Sequence, residues 1–106
     1  MHFLGIVAGA TKYFVSLSVN NQSPTDVTIS YYQNGELKEQ NIGKGSMNSI
    51  MVTITSNEQP RSMQFTAFEK GTNNAVKLNG NNTLVMTPSK VLETISVVLQ
   101  GGKAYL

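Results

Sequence analysis

Apolar residues in this chain recur at every second position, and that single feature excludes most folds. In Tyr13-Phe14-Val15-Ser16-Leu17-Ser18-Val19, positions 13, 15, 17 and 19 form one apolar face. Val27, Ile29 and Tyr31 repeat the pattern, as do Ile50, Val52 and Ile54, then Met63, Phe65 and Ala67, then Ile95, Val97 and Leu99. A two-residue period sends alternate side chains to opposite faces of a strand, so each run reads as a half-buried β-strand. β-Branched residues fill these runs and suit a pleated surface. The 3.6-residue period of a helix is not sustained over three turns anywhere. The one helical candidate is Ser89–Thr94, a turn or two with Ser89 as its cap.

Turn chemistry separates the runs. Asn34-Gly35 and Asn79-Gly80 are type I′ hairpin signals, because Asn and Gly both accept positive φ. Gly43-Lys44-Gly45 and the loop Glu69–Asn74 break the chain elsewhere, and Gly101-Gly102 closes the last run. Pro24, Pro60 and Pro88 fall between runs, where a missing N–H harms no ladder. The count is about 8–9 short strands at roughly ten-residue spacing. A chain of 106 residues fits one domain. We therefore expect an all-β fold, a small antiparallel β-sandwich of Ig-like or jelly-roll-like type. Residues 11–106 would form it, with residues 1–10 as an apolar arm or a first strand.

The composition narrows function mainly by exclusion. The only histidine is His2, and there is no cysteine. This removes Ser-His and Cys-His nucleophile pairs and thiolate or His-based metal sites. Of the carboxylates, Asp26, Glu36, Glu39, Glu58 and Glu69 sit in or beside expected turns, and Glu93 opens the last strand. A glycosidase needs two carboxylates converging in a cleft. Asn73, Asn74, Asn79, Asn81 and Asn82 crowd two loops, but no Asp accompanies them and a tight calcium site wants several carboxylates. No glycine-rich phosphate loop precedes a helix. We expect no enzyme, no metal and no cofactor. The eight Lys and Arg residues are scattered and the formal net charge is +2. Nucleic-acid binding needs a clustered basic patch, so we expect none.

Charged residues are only 13% of the chain, about half the usual share. Low charge weakens repulsion between copies. With the alternation oriented as above, Phe14, Tyr32, Met51 and Phe68 point outward from four different strands. A contiguous exposed apolar patch marks an interaction surface. The start of the chain adds Phe3, Leu4, Ile6 and Val7, an apolar segment suited to joining a neighbour's sheet edge. No basic residue precedes this run, and it is shorter than a signal peptide or a membrane span requires, so we expect neither in this chain. The leading expectation is a non-catalytic, self-assembling structural subunit whose partner is itself. It would build a fibre, shell or crystalline inclusion at an extracellular or cell-surface location. The eight residues just named would be its assembly interface.

The run Val15–Ser30 combines apolar alternation, an Asn-rich turn and renewed alternation. In that pattern it resembles small β-sandwich cytolysins such as the aegerolysins. The resemblance implies the alternative reading, a small secreted toxin-like module binding membrane lipid or glycan. Tyr31, Tyr32 and Phe14 are the candidate contacts, in a chain without the Trp that best anchors such surfaces. A third reading is an ordered threonine face, Thr28, Thr53, Thr55 and Thr66, for ice or mineral.

Overall fold

Eight strands account for nearly all the regular structure of residues 9–101, which are those the structure, a computed structural model, describes. They are β1 (Thr11–Asn21), β2 (Val27–Gln33), β3 (Glu36–Ile42), β4 (Met47–Ser56), β5 (Met63–Glu69), β6 (Ala75–Leu78), β7 (Thr83–Met86) and β8 (Thr94–Gly101). The fold is all-β, as the alternation requires. The strands pair in the order β3-β2-β5-β6-β8-β1-β4, with β7 also on β5. β5 is the branch point. Its first half pairs β7, from Met63↔Met86 to Thr66↔Thr83, and its second half pairs β6 at Ala67↔Val76 and Phe68↔Ala75. β6 then passes on to β8, so the halves β3-β2-β5-β7 and β8-β1-β4 are joined along one path that curls almost into a barrel.

One ladder departs from the antiparallel expectation. β1 pairs β4 antiparallel from Thr11↔Ser56 to Asn20↔Met47, but its other edge runs parallel to β8, from Ser16↔Thr94 to Asn21↔Leu99. A parallel pair needs a long crossover, and here every strand from β2 to β7 lies between the two partners.

The alternation places a single core. Val15, Leu17 and Val19 of β1 meet Val27, Ile29, Ile42, Ile50, Val52, Met63, Phe65, Ala67, Val76, Leu78, Val97 and Leu99, all buried. Each such large side chain contributes about 1.5–3 kcal/mol through removal from water. Tyr31 and Ile54 pack against this core while only partly buried. Ile95, grouped by its period with Val97 and Leu99, instead stays 38% exposed near the start of β8.

Both Asn-Gly turns adopt the geometry their chemistry calls for. Asn34 and Gly35 have φ of 54° and 77°, Asn79 and Gly80 of 50° and 84°. Two successive positive φ values define the hairpin turn that matches strand twist, but only Asn34-Gly35 joins two paired strands; past Asn79-Gly80 the pairing stops at the Leu78↔Asn81 bridge, and β6 and β7 each pair with β5 instead. Asn79 also extends the sheet: its Nδ2 donates to Ser96 O at 3.1 Å and its Oδ1 accepts from Val98 N at 2.8 Å. Gly80 has open space where a Cβ would stand. Gly80→Ala is therefore expected to cost about 1–2 kcal/mol through left-handed backbone strain rather than collision. Urea denaturation measures it, and a neutral result would show that the turn relaxes.

The segment 89–94 is not helical. Ser89 pairs with β1 instead: Phe14 N donates to Ser89 O at 2.7 Å and Ser89 N to Phe14 O at 3.0 Å. β8 joins β1 only from Ser16 onward, so Ser89 satisfies the backbone of Phe14 on that edge. The Ser89 hydroxyl does accept from Val91 N at 3.1 Å, as a cap would, but the chain then continues into β8. Long-range pairing outweighs the local capping preference.

Candidate functional site

The two ends of the strand path, β3 and β4, face one another without sharing a ladder. At the Gly43–Ser46 connection they are drawn together. Gln40 Nε2 donates to Ser49 O at 3.2 Å, while Asn21 N donates to Ser46 O and Gly45 N to Asn21 O. Toward the other end of β4 lies a cleft of about 370 Å³, lined by Tyr32 and Asn34 of the β2–β3 hairpin, Ile54 and Ser56 of β4, and Arg61 and Met63.

The two strands bordering the seam differ in chemistry. β3 carries Glu36, Lys38 and Glu39. Lys38 Nζ lies 2.9 Å from Glu36 Oε1. That hydrogen bond and the ammonium charge hold the Glu36 carboxyl below its usual range and raise Lys38 above its own. Both side chains are exposed, so the pair adds little to stability, but it places charge along an edge. Charge is the common device that keeps an edge strand from pairing with another chain. β4 has no such charge, and its one cover among the described residues is the Gln40 side chain on Ser49 O. Its ten residues, Met-Asn-Ser-Ile-Met-Val-Thr-Ile-Thr-Ser, contain no charge and no proline. The register with β1 is continuous from Met47 to Ser56, with no bulge to twist the edge away. Its outward face presents Met47, 64% exposed, and Met51, 54% exposed.

The outward residues singled out in the sequence divide between two stretches of the strand path. Phe14 and Met51 share the β1–β4 face, diagonally placed because Phe14 opposes Thr53 and Ser16 opposes Met51. Met51 is exposed and Phe14 half-buried. Tyr32 and Phe68 lie on the other half, on β2 and β5. Tyr32 is exposed and opposes Leu37, whereas the half-buried Phe68 opposes Thr28, four residues back along β2. None of the four belongs to the core. Phe3, Leu4, Ile6 and Val7 lie outside the described residues. The threonines divide in the same way, Thr28 and Thr66 on one half, Thr53 and Thr55 on the other, so they make no single ordered face. Of the contacts considered for a membrane, Tyr31 turns inward, its ring 5.0 Å from that of Phe65.

Sequence reasoning missed several exposed apolar side chains: Leu37, Met47, Val85, Val91 and Leu92. Leu37 was accessible, since a two-residue turn at Asn34-Gly35 forces Gln33↔Glu36 and hence Tyr32↔Leu37. The others lie in segments whose strand boundaries are set by distant partners. The chain matches no protein-family model and no curated protein sequence.

Proposed function

We propose that this protein is a non-catalytic, self-assembling structural subunit of an extracellular or surface assembly, joined by strand addition at the open edge of β4. The observation that supports this reading is the contrast across the seam, with a charged β3 edge facing a ten-residue β4 edge that carries no charge, proline or bulge. An incoming strand would gain main-chain hydrogen bonds from β4 and apolar contact from Ile54 at the cleft. The proposed occupant is the Phe3-Leu4-Gly5-Ile6-Val7 segment of a second copy, which is as free of charge as β4 itself. Neither strand then brings like charge against the other.

Size-exclusion chromatography with light scattering, followed by negative-stain microscopy, tests the reading. The full chain is expected to assemble. Deleting residues 1–10 leaves β1 whole, since it begins at Thr11, and is expected to give a folded monomer. The double substitution Met51→Lys, Thr53→Lys places charge along the edge strand at two exposed positions. It is expected to abolish assembly while changing stability by no more than about 0.5 kcal/mol per site. A full chain that remains monomeric sinks the proposal. Assembly that survives the deletion but not the lysines would mean that β4 pairs with β4 of a second copy.

A further inference from the structure

A second surface, on the far half of the shell, has a different chemistry. An open groove of about 800 Å³ runs over the outward face of β2, β3 and β5. Its floor is a row across three strands, Asn41, Thr28 and Phe68, set by the pairs Thr28↔Asn41 and Thr28↔Phe68. Neighbouring strands lie about 4.8 Å apart, so the row places an amide, a hydroxyl and a half-buried aromatic ring side by side. Glu39 continues the floor, and the loop Lys70–Asn73 forms a wall.

The groove is built in advance. Thr28 Oγ1 donates to Asn41 Oδ1 at 2.7 Å, which orients the Asn41 amide and leaves its Nδ2 donors available. The wall is tied down by Lys70 N donating to Asp26 O, by Thr72 N and Thr72 Oγ1 donating to Glu69 O, and by Asn74 N donating to Thr72 Oγ1. Glu69 Oε1 accepts from Asn74 Nδ2 at 3.2 Å. The side chains of Glu39, Lys70 and Asn73 have no hydrogen-bond or ion-pair partner among the described residues. A preformed wall lowers the ordering cost of binding.

We infer that this groove is a binding site for a neutral saccharide. The chemistry selects that class. Carboxylates and an ammonium stand together, so neither a polyanion nor a polycation is favoured by charge. Amide donors and carboxylate acceptors suit the paired donor–acceptor character of sugar hydroxyls. The Phe68 ring offers an apolar platform for the C–H face of a pyranose. A purely apolar ligand would leave the Asn41 and Glu39 groups buried and unpaired, which costs free energy. Glu39 and Glu69 both line the groove, although their positions in sequence suggested only solvated turns.

The test uses the full chain, fluorescently labelled, on an array of neutral oligosaccharides, with the strongest responder then titrated by calorimetry. Phe68→Ala is expected to weaken that binding by about tenfold or more. Asn41→Asp keeps the acceptor for Thr28 but loses the donor, and is expected to weaken it comparably. It lies on an exposed strand position, so it preserves the test should Phe68→Ala misfold. Met51→Lys, on the other half, should leave binding unchanged. Absence of binding to every neutral saccharide overturns the inference. So does binding that survives both groove substitutions, or binding to anionic sugars alone that vanishes with salt. Because Met51→Lys belongs to the β4 edge, failure here is separable from failure of strand addition.

Discussion

Truncating Phe65 to alanine is expected to cost about 3–5 kcal/mol, a large share of the roughly 5–15 kcal/mol that holds a small domain together. Phe65 is fully buried and is the largest of the fully buried side chains. It stands on β5, whose two edges carry β2 on one side and β7 and β6 on the other. A hole there removes dispersion contact from the core cluster to which Phe65 belongs. Its ring also lies tilted at 43° against Tyr31, an aromatic pairing worth about 0.5–1.5 kcal/mol beyond area alone. The internal control is three residues away. Phe68 sits on the opposite face of the same strand and is only half-buried, so Phe68→Ala should cost clearly less. Urea denaturation followed by far-UV dichroism gives both values, provided the slope is unchanged. Equal losses at the two positions would mean that the two faces of β5 are misassigned.

The second large effect is expected at a polar residue. Asn21 has no exposed surface. Its Nδ2 donates to Ile42 O at 2.9 Å and to Thr25 O at 3.0 Å, and its Oδ1 accepts from Ser23 N at 3.0 Å and from the Ser23 hydroxyl. One side chain thus ties the end of β1 to the β1–β2 loop and to the end of β3. Removing it strands several buried groups, each costing about 1–3 kcal/mol, so Asn21→Ala is expected to lose about 3 kcal/mol or more. Asn21→Asp is more diagnostic. It keeps an acceptor for Ser23 but turns a carboxylate toward two carbonyl oxygens in a buried site. Burial and those oxygens both disfavour the charged form, so the aspartate pKa in the folded state rises above its unfolded value of about 3.9. The folded state then binds the proton more tightly. Stability of Asn21→Asp is fullest below the unfolded pKa and is lost as pH rises through the folded one. Thermal melts of Asn21→Asp against the parent across the acid range measure this. A destabilisation that does not grow with pH would show that the carboxylate escapes to solvent.

How much of this was legible beforehand differs by residue. Most of the inward set followed from alternation, because the strand backbone itself assigns successive side chains to opposite faces, but Ile42, Val76 and Leu78 were not read as inward, and Ile95, which was, stays exposed. The two Asn-Gly turns followed as well, since few other residues accept two positive φ values in succession. The role of Asn21 did not. In the sequence it is one Asn in a polar turn, and its partner Ile42 becomes visible only once β3 lies beside it.

The interface residues show where local information stops. Alternation identified Phe14, Tyr32, Met51 and Phe68 as outward, and none of them is in the core. It did not indicate that they divide between two halves of the shell. Ser89 was legible as a cap but not as the partner of Phe14. The groove draws Thr28, Asn41 and Phe68 from three separate strands, none of which is distinctive alone.

The sequence by itself therefore determined most of the strands, most of their buried faces and the two Asn-Gly turns, all of which depend on residues within a few positions of each other. The tertiary structure alone decided which strands are neighbours: β8 returning parallel to β1, β6 joining the two halves, and β3 and β4 left facing across an open seam. The physical reason is degeneracy. Most strands offer much the same apolar face, and all offer the same backbone donors and acceptors, so pairing is chosen by how the whole set closes around one core.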